Sequence, residues 1–343
     1  MDEDGAVLLR DRAERLAPAL RGYEASAALA ELEARHDDLL AALAWFIGQD
    51  RPDDALRLSS ALVPFWMATK RIDEGRAWFD RVLALNGGDD ARRGKALFNA
   101  GYLAFWQGDE EPSAAFYRQA LEVGRATANP TVEAIALTGL ARIALRTDVE
   151  EARRLCLEAL ALSDATGDPE ARGHATHVLG VAAQMAGNLP EARQYMTERI
   201  DIARAAGDIA TVSSEAANLS MVERQLGNLG VAELLAREAL EFTERRGHEL
   251  MIAWLMNGWA ALAVDRDQHE RGAILLGAAD ALLAAQGGVW PPDEWVFHEQ
   301  TAVALTHALG NDEVNHLRVA ARSMSSRQAV DFALRRAAET TAP

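Results

Sequence analysis

Residues 167–207 read GDPEARGHATHVLGVAAQMAGNLPEARQYMTERIDIARAAG. In the first half of this stretch, small or apolar residues recur at gaps of three and four: Ala171, Ala175, Val178, Leu179, Ala182 and Ala183. This spacing predicts a helix over about 170–186. Gly187 before a polar residue predicts its end, and Pro190 suits the first turn of the next helix. A second helix is predicted from about Glu191 to Ala206, so the unit is a helical hairpin.

The hairpin recurs along the chain with a period of 40 residues. One series of small residues keeps that interval: Ala152, Ala192, Ala232 and Gly272. Turn glycines keep it in a second series: Gly167, Gly207, Gly247 and Gly287. A fixed period of this size is typical of a solenoid, whose stacked units share one continuous core. The pattern predicts five clear hairpins between about 92 and 287 and a degenerate one over roughly 53–86.

The two ends depart from the period, as the caps of a solenoid should. Residues 5–50 predict two helices, the second from about Ser26 to Phe46. The C-terminal part predicts helices near 293–309, near 311–321 and from about Ser326. We therefore divide the chain into three parts, which are an N-terminal helical cap (1–52), the repeats (53–288) and a C-terminal helical cap with a tail (289–343).

Two details of the C-terminal cap bear on its structure. Ser325 is predicted to cap the last helix, with Gln328 able to bond back to it. The segment Trp290–Trp295 has two interpretations. It is either an exposed docking loop or the corner that folds the cap onto the last repeat.

The composition argues against several classes of protein. The chain has 52 acidic and 35 basic residues, a formal net charge of −17, so we expect no direct binding to nucleic acid. The single cysteine, Cys156, is typical of a reducing compartment, which predicts a cytoplasmic protein. The acidic start Met1–Asp4 lacks the order of a signal peptide, and no stretch of 18 uncharged apolar residues predicts a membrane span.

Each hairpin resembles the tetratricopeptide repeat through Leu179-Gly180, Gly187, Ala192 and a hydrophobic pair near the end of the second helix. The usual period of that repeat is about 34 residues. The longer helices here resemble the variant found in bacterial activators of the maltose-regulator type. The resemblance implies an all-α, right-handed superhelical solenoid of tetratricopeptide-like hairpins with helical caps. In such a solenoid the first helix of each hairpin lines the concave side.

A more specific resemblance covers almost the whole chain. Leu20–Gly22 and His36–Trp45 are similar to the segment that opens the repeat region of large LuxR-type and antibiotic-regulator ATPases. Asp73–Trp78 continues this similarity, and Leu275–Asp280 with Ser326–Leu334 resemble the closing segments. In those regulators the repeats form a sensor or docking arm beside an ATPase and often a DNA-binding domain. This chain has no phosphate-binding Gly-x-x-x-x-Gly-Lys-Ser/Thr loop and no basic helix-turn-helix, so it resembles the arm alone.

The predicted concave stripe mixes polar side chains with aromatic rings, which is typical of a binding groove. It supplies nine candidate binding residues: Asn99, Tyr102, Trp106, His174, His177, Gln184, Asn218, Arg224 and Trp259. Asn99 and Asn218 hold equivalent places, and the resemblance implies that an Asn there holds the backbone of a peptide ligand. The other interpretation is that these amides merely face solvent in an open superhelix.

Four residues carry more than one interpretation. His174 and His177 lie three apart and could ligate a metal, but a third ligand would have to come from another hairpin, so we predict no metal site. Arg199 replaces the alanine of the other hairpins and either pairs with a buried carboxylate or turns to water. Cys156 is predicted to be a small core residue and not a nucleophile.

These patterns predict a non-catalytic recognition module in bacterial regulation. The first hypothesis is protein or peptide docking along the concave groove, with the acidic chain selecting a basic partner. The second is a small-molecule sensor, in which Tyr102, Trp106 and Trp259 hold an apolar or sugar-like ligand. An enzyme with a site assembled in the groove comes third, because no nucleophile elbow or metalloprotease motif is present, and we predict no cofactor. Open solenoid ends often pair, so the sequence leaves a homodimer through one cap open.

Overall fold

The computed structural model describes residues 1–285, 290 and 292–335, and helix is the regular secondary structure throughout these ranges. The α-helices of the described chain are, in order, α1 Glu3–Leu16, α2 Ala25–Glu33, α3 His36–Gly48, α4 Pro52–Ala68, α5 Ile72–Leu83, α6 Asp90–Trp106, α7 Glu110–Ala126, α8 Pro130–Ala144, α9 Val149–Thr166, α10 Pro169–Met185, α11 Leu189–Ala205, α12 Ile209–Gln225, α13 Leu229–Arg246, α14 Glu249–Asp265, α15 His269–Ala285, α16 Pro292–Leu309, α17 Asn311–Ala320 and α18 Ser326–Leu334. Short 3₁₀ turns occur at Ala19–Arg21 and Ala321–Ser323. Within the described ranges, none of these helices combines the length and the apolar character that crossing a lipid bilayer requires.

The predicted hairpins are confirmed. The pairs α6–α7, α8–α9, α10–α11, α12–α13 and α14–α15 are the five clear ones, and α4–α5 is the degenerate one. The caps follow from the local sequence, because the side chain of Asp168 accepts from the backbone N–H of Ala171 at the start of α10. Asn188 does the same for Glu191 in α11. Gly167, Gly207 and Gly247 adopt φ angles of 69°, 69° and 65° after second helices, the left-handed conformation that glycine favours, whereas Gly287 lies outside the described residues.

Small residues stand where the two helices of a hairpin approach each other most closely. Ser113 Oγ of α7 donates to the carbonyl oxygen of Gly101 in α6 over 2.8 Å. Ser220 Oγ of α12 donates to the carbonyl oxygen of Ala232 in α13 over 2.8 Å. A side-chain hydroxyl reaches the partner's backbone only where the two helix axes are close, so large side chains are excluded at these positions. The 40-residue series of small residues therefore records the contact that closes each hairpin.

The chain divides into two compact units, Met1–Thr211 and Val212–Pro343, with the boundary in the first turn of α12. The sequence predicts one continuous core, without this division. Helix α12 differs from the other first helices in what it buries, because Ser213, Glu215, Ser220 and Glu223 are on its buried face. In the first unit, α8 packs against both α6 and α10. Within the described residues, the second helices α7, α9 and α11 do not pack closely against one another. The first helices therefore form the inner side of this unit.

The N-terminal cap contains three α-helices and a 3₁₀ turn, where the sequence predicts only two helices. The predicted helix from Ser26 to Phe46 is wrong, because it breaks between α2 and α3 at Ala34–Arg35. A tertiary contact fixes the break, since His36 Nε2 lies 2.8 Å from Glu74 Oε1, which also accepts from Trp66 Nε1 over 2.9 Å. Asp37 and Asp38 in the first turn of α3 are the sequence signal for a helix start at this point.

Ion pairs hold the N-terminal cap to the rest of the first unit. Arg10 of α1 pairs with Asp54 of α4, and both side chains are buried. Arg51 adds a second guanidinium to Asp54 at 2.7 Å. Arg21, in the 3₁₀ turn after α1, reaches Asp208 at 3.0 Å, so the cap contacts the turn that follows α11.

The C-terminal cap is organised around Asp280 of α15. Its carboxylate accepts from Trp290 Nε1 over 3.1 Å and from Arg318 Nη2 over 2.5 Å, and it lies 2.9 Å from His298 Nε2. Although burial acts to raise it, the contacts with His298 and Arg318 hold the pKa of Asp280 below its usual range. The ring centroid of His298 lies 5.1 Å from those of Trp290 and Trp295, so both tryptophans pack around His298 at the corner of the cap.

The starts and ends predicted for the C-terminal helices agree with α16, α17 and α18. Ser325 and Gln328 form the predicted reciprocal cap at the start of α18. The tail beyond Arg335 lies outside the described residues.

Replacing Ala192 by Leu tests the closest contact of the α10–α11 hairpin. Ala192 is fully buried, so the added carbons have no space, and the free energy of unfolding should fall by about 1–3 kcal/mol. Urea unfolding followed by circular dichroism measures this loss. Ala205→Leu, at the exposed end of the same helix, is the control and should change stability by less than about 0.5 kcal/mol. Equal losses in the two variants would contradict the packing account.

Candidate functional site

Six of the nine predicted binding residues lie on the inner helices of the first unit. Asn99, Tyr102 and Trp106 are on α6, and His174, His177 and Gln184 are on α10. Helix α8 lies between these two helices and contacts both. The inner face formed by α6, α8 and α10, which we call the inner groove, is therefore the candidate site.

A row of aromatic rings runs along α6 on the inner groove. Tyr102 stacks on Phe98 with ring centroids 6.5 Å apart and an interplanar angle of 18°. Trp106 meets Tyr102 and Phe105 edge-on, at 6.1 and 6.0 Å. Trp106 remains 45% exposed, which is unusual for so large an apolar side chain. The row thus offers apolar surface to a ligand at the C-terminal end of α6.

The floor of this row is built by Tyr117 of α7. Its ring is lodged between α6 and α8, because a Cβ atom on Gly101 or on Gly139 would lie 2.7 or 2.5 Å from the ring. The side chain is fully buried, and its hydroxyl makes no hydrogen bond of good geometry. Burial raises the pKa of Tyr117 to about 12, against a smaller opposite effect of Arg142. The glycines of two first helices therefore make room for one ring beneath the groove.

Two arginines at the C-terminal end of α8, Arg142 and Arg146, lie over the aromatic row. Neither is among the binding residues predicted from the sequence. The guanidinium carbon of Arg142 is 5.9 Å from the ring centroid of Tyr102 and 5.8 Å from that of Phe105. Arg146 lies 5.4 Å from Phe105 and also pairs with Glu110. Arg142 is not among the predicted groove residues, and only the tertiary structure places it over the aromatic row.

Asn99 is the polar residue closest to the centre of α6. It is 7% exposed, and its side-chain amide makes no hydrogen bond to another residue of the described chain. Neither of its amide atoms is among the buried side-chain polar atoms that lack a hydrogen-bond partner, so the amide still reaches the surface of the groove. That Asn99 holds the backbone of a peptide ligand stays a prediction.

The N-terminal end of the inner groove is bridged from α6 to α10. Lys95 Nζ lies 2.6 Å from Glu170 Oε1, and the rings of Phe98 and His174 are 5.6 Å apart. His174 Nε2 is 3.8 Å from the same Glu170 oxygen. Together with Lys95, His174 holds the pKa of Glu170 below its usual range. Burial lowers the pKa of His174 to about 4, so its ring is neutral at physiological pH.

The other two residues on α10 are less engaged with the aromatic row. His177 and Gln184 are half-buried, and the neighbouring Met185 is 56% exposed. Around His174 and His177, as elsewhere in the described chain, no group of three or more His, Cys, Asp and Glu side chains is placed to hold a metal ion.

The remaining three predicted residues belong to the second unit. Asn218 is half-buried on α12, and Arg224 Nη1 lies 2.9 Å from Asp265 Oδ2 of α14. Trp259 is a correction, because it is only 2% exposed and therefore does not line a groove. Helix α14 packs against α16 and α18, so the C-terminal cap covers the face that α14 would present. The sequence carried a signal for this burial, because the residues that share this face of α14 are all apolar: Ile252, Leu255, Met256, Leu262 and Ala263.

The structure also locates Arg199 and Cys156, the other two residues that the sequence analysis discusses individually. A Cβ atom on Gly173 of α10 would overlap the guanidinium of Arg199, so glycine makes room for the arginine there. Cys156 is fully buried, and burial raises the pKa of its thiol to about 12. The thiol therefore stays protonated at neutral pH, which agrees with a core residue.

No protein-family model matches the chain. Over 224 residues it is 28% identical to Rv0890c of Mycobacterium tuberculosis H37Rv and to Mb0914c of Mycobacterium bovis, whose names assign them to the HTH-type transcriptional regulators. The match covers 61% of this chain but only 25% of each relative, so the chain spans about a quarter of their length.

Solved structures show the fold. The anaphase-promoting complex hetero-tetramer Cut9–Hcn1 aligns with a TM-score of 0.59 and 15% identity, over 82% of this chain and 48% of that chain. A Rap protein complexed with competence and sporulation factor aligns with a TM-score of 0.57 and 12% identity, over 97% of this chain and 89% of that chain. Aspartyl phosphate phosphatase F from Bacillus subtilis aligns with a TM-score of 0.54 and 11% identity, over 95% of this chain and 92% of that chain. The chain is a solenoid of tetratricopeptide-like hairpins.

The lowered pKa of His174 predicts a pH dependence of stability. Between pH 6.5 and about 4 the unfolded state binds a proton at this residue and the folded state does not, so stability falls as pH falls through this window. The limiting slope is about 1.4 kcal/mol per pH unit. His174→Gln should reduce the loss of unfolding free energy between pH 7 and pH 5 by about 1–2 kcal/mol. His307→Gln, at an exposed position of α16, is the control, and an unchanged loss in His174→Gln would contradict the burial of this ring.

Proposed function

We propose that this chain is a non-catalytic recognition module whose inner groove holds an extended segment of a partner protein. The observation that carries the proposal is the aromatic row on α6, where Trp106 remains 45% exposed beside Tyr102. Asn99 adds an amide without a partner in the fold, in the place where it can bond to a peptide backbone. Aromatic side chains and a few polar groups on rigid helices are typical of peptide recognition.

The shape of the surface favours a peptide over a small molecule. A cavity of about 260 Å³ opens beside the bridged end, between Lys95, Val132 and Glu170, which is below the ~300–1,000 Å³ typical of ligand pockets. A cavity of about 730 Å³ in the second unit is lined mostly by charged side chains, among them Arg271 and Asp331. Neither is the apolar pocket that the sensor hypothesis requires, whereas the aromatic row is an open surface.

The relatives support a role in bacterial transcription. Rv0890c carries the name of an HTH-type transcriptional regulator, and this chain is similar to a quarter of it. We therefore propose that the chain acts as a docking arm in the cytoplasm, in the manner of such regulators. The Rap protein in the matching structure is complexed with competence and sporulation factor, and that complex supports binding by a fold of this kind.

Selection from a random-peptide library displayed on phage tests the proposal with the full chain as bait. The affinity of the best recovered peptide is then measured by fluorescence polarisation. Asn99→Ala and Trp106→Ala should each weaken binding about tenfold or more, because each removes a central contact of the groove. Leu157→Ala is the matched control, since Leu157 of α9 is 42% exposed but lies on a second helix.

Two outcomes would contradict the proposal. One is the recovery of no binding peptide. The other is a peptide whose affinity is unchanged in both groove variants or is lowered only by Leu157→Ala. Correct folding of each variant is checked by its thermal unfolding curve.

A further inference from the structure

The acidic charge of the chain is not spread evenly over the first unit. The inner helices α6, α8 and α10 carry three acidic and five basic residues, although the whole chain has 52 acidic and 35 basic ones. The outer helices α7, α9 and α11 carry ten acidic and seven basic residues. The inner helices thus have the opposite charge balance to the chain.

The three carboxylates of the inner helices stand at one end of the groove. Asp90, Glu133 and Glu170 all lie in the first turn of their helices. Glu133 pairs with Arg125 at 3.0 Å, and Glu170 with Lys95 at 2.6 Å. The C-terminal half of the groove, where the aromatic row lies, therefore receives no carboxylate from its own helices.

Of the two arginines in this half, Arg146 pairs with Glu110, which leaves Arg142 as the second cation. It is half-buried, and among the described residues no carboxylate forms an ion pair with it. Its guanidinium carbon lies 5.9 Å from the ring centroid of Tyr102 and 5.8 Å from that of Phe105. A guanidinium on aromatic rings is oriented and partly desolvated, which strengthens its pairing with a carboxylate.

We propose that the inner groove takes an acidic segment of its protein partner, with an Asp or Glu side chain bound to the guanidinium of Arg142. This inference rests on the proposed function and adds the chemistry of the partner. The net charge of −17 alone predicts a basic partner, but the acidic residues that produce it lie mainly outside this groove. Tyr102, Phe105 and Trp106 supply the apolar contacts on either side of the ion pair.

The composition of the peptides selected by the full chain tests the inference. Peptides recovered on the wild type should be enriched in Asp and Glu over the input library. On Arg142→Glu the enrichment should shift to Lys and Arg, because the groove charge is reversed. For the best acidic peptide, Arg142→Gln should weaken binding about tenfold or more, and Arg142→Lys should weaken it less. Arg118→Gln is the control, since Arg118 is exposed on α7 and paired with Glu111 at 3.1 Å.

The outcomes separate this inference from the proposed function. If the selected peptides are neutral or basic and still lose affinity in Asn99→Ala, the groove binds peptides but the acidic partner is wrong. The acidic partner is also wrong if an acidic peptide binds Arg142→Gln as tightly as the wild type. If no peptide is recovered, or if the groove variants have no effect, the proposed function fails and the inference fails with it. Thermal unfolding curves of the variants identify any that do not fold.

Discussion

The structure depends on the close approach of two helix backbones within each hairpin. The hydroxyls of Ser113 and Ser220 each reach the backbone carbonyl of the partner helix over 2.8 Å, and only small residues fit at that distance. Each hairpin is thereby fixed with its first helix inward, which aligns α6, α8 and α10 in the first unit. Gly101 and Gly139 extend the same principle between hairpins, because they admit the ring of Tyr117 beneath the groove.

Local sequence signals predicted the hairpins because the information is local. Turn glycines, Asp and Asn caps and the reciprocal cap at Ser325 act within a few residues, so the helix ends were found to within a few positions. The break at Ala34–Arg35 was missed because it contains neither glycine nor proline. It is fixed by the contact of His36 with Glu74, 38 residues away, which no local pattern reveals.

The candidate site was only partly predictable. Helical spacing groups Asn99, Tyr102 and Trp106 on one face of one helix, and the rings of Tyr102 and Trp106 do meet there. Helical spacing was wrong for Trp259, which is buried. Whether a helix face is open depends on what packs over it, and an entirely apolar face, like this one on α14, indicates burial. Helical spacing missed Arg142, which reaches the aromatic row from the neighbouring helix and adds a cation to an acidic chain. The charge of the groove is a tertiary property that composition does not give.

The most direct test of the account is a crystal structure of the full chain with the tightest selected peptide. We expect the peptide along α6, α8 and α10, with its backbone within hydrogen-bond distance of the Asn99 side chain and its side chains over Tyr102 and Trp106. A peptide bound on the outer helices α7, α9 and α11, or on the second unit, would contradict the claim that recognition occurs in the inner groove.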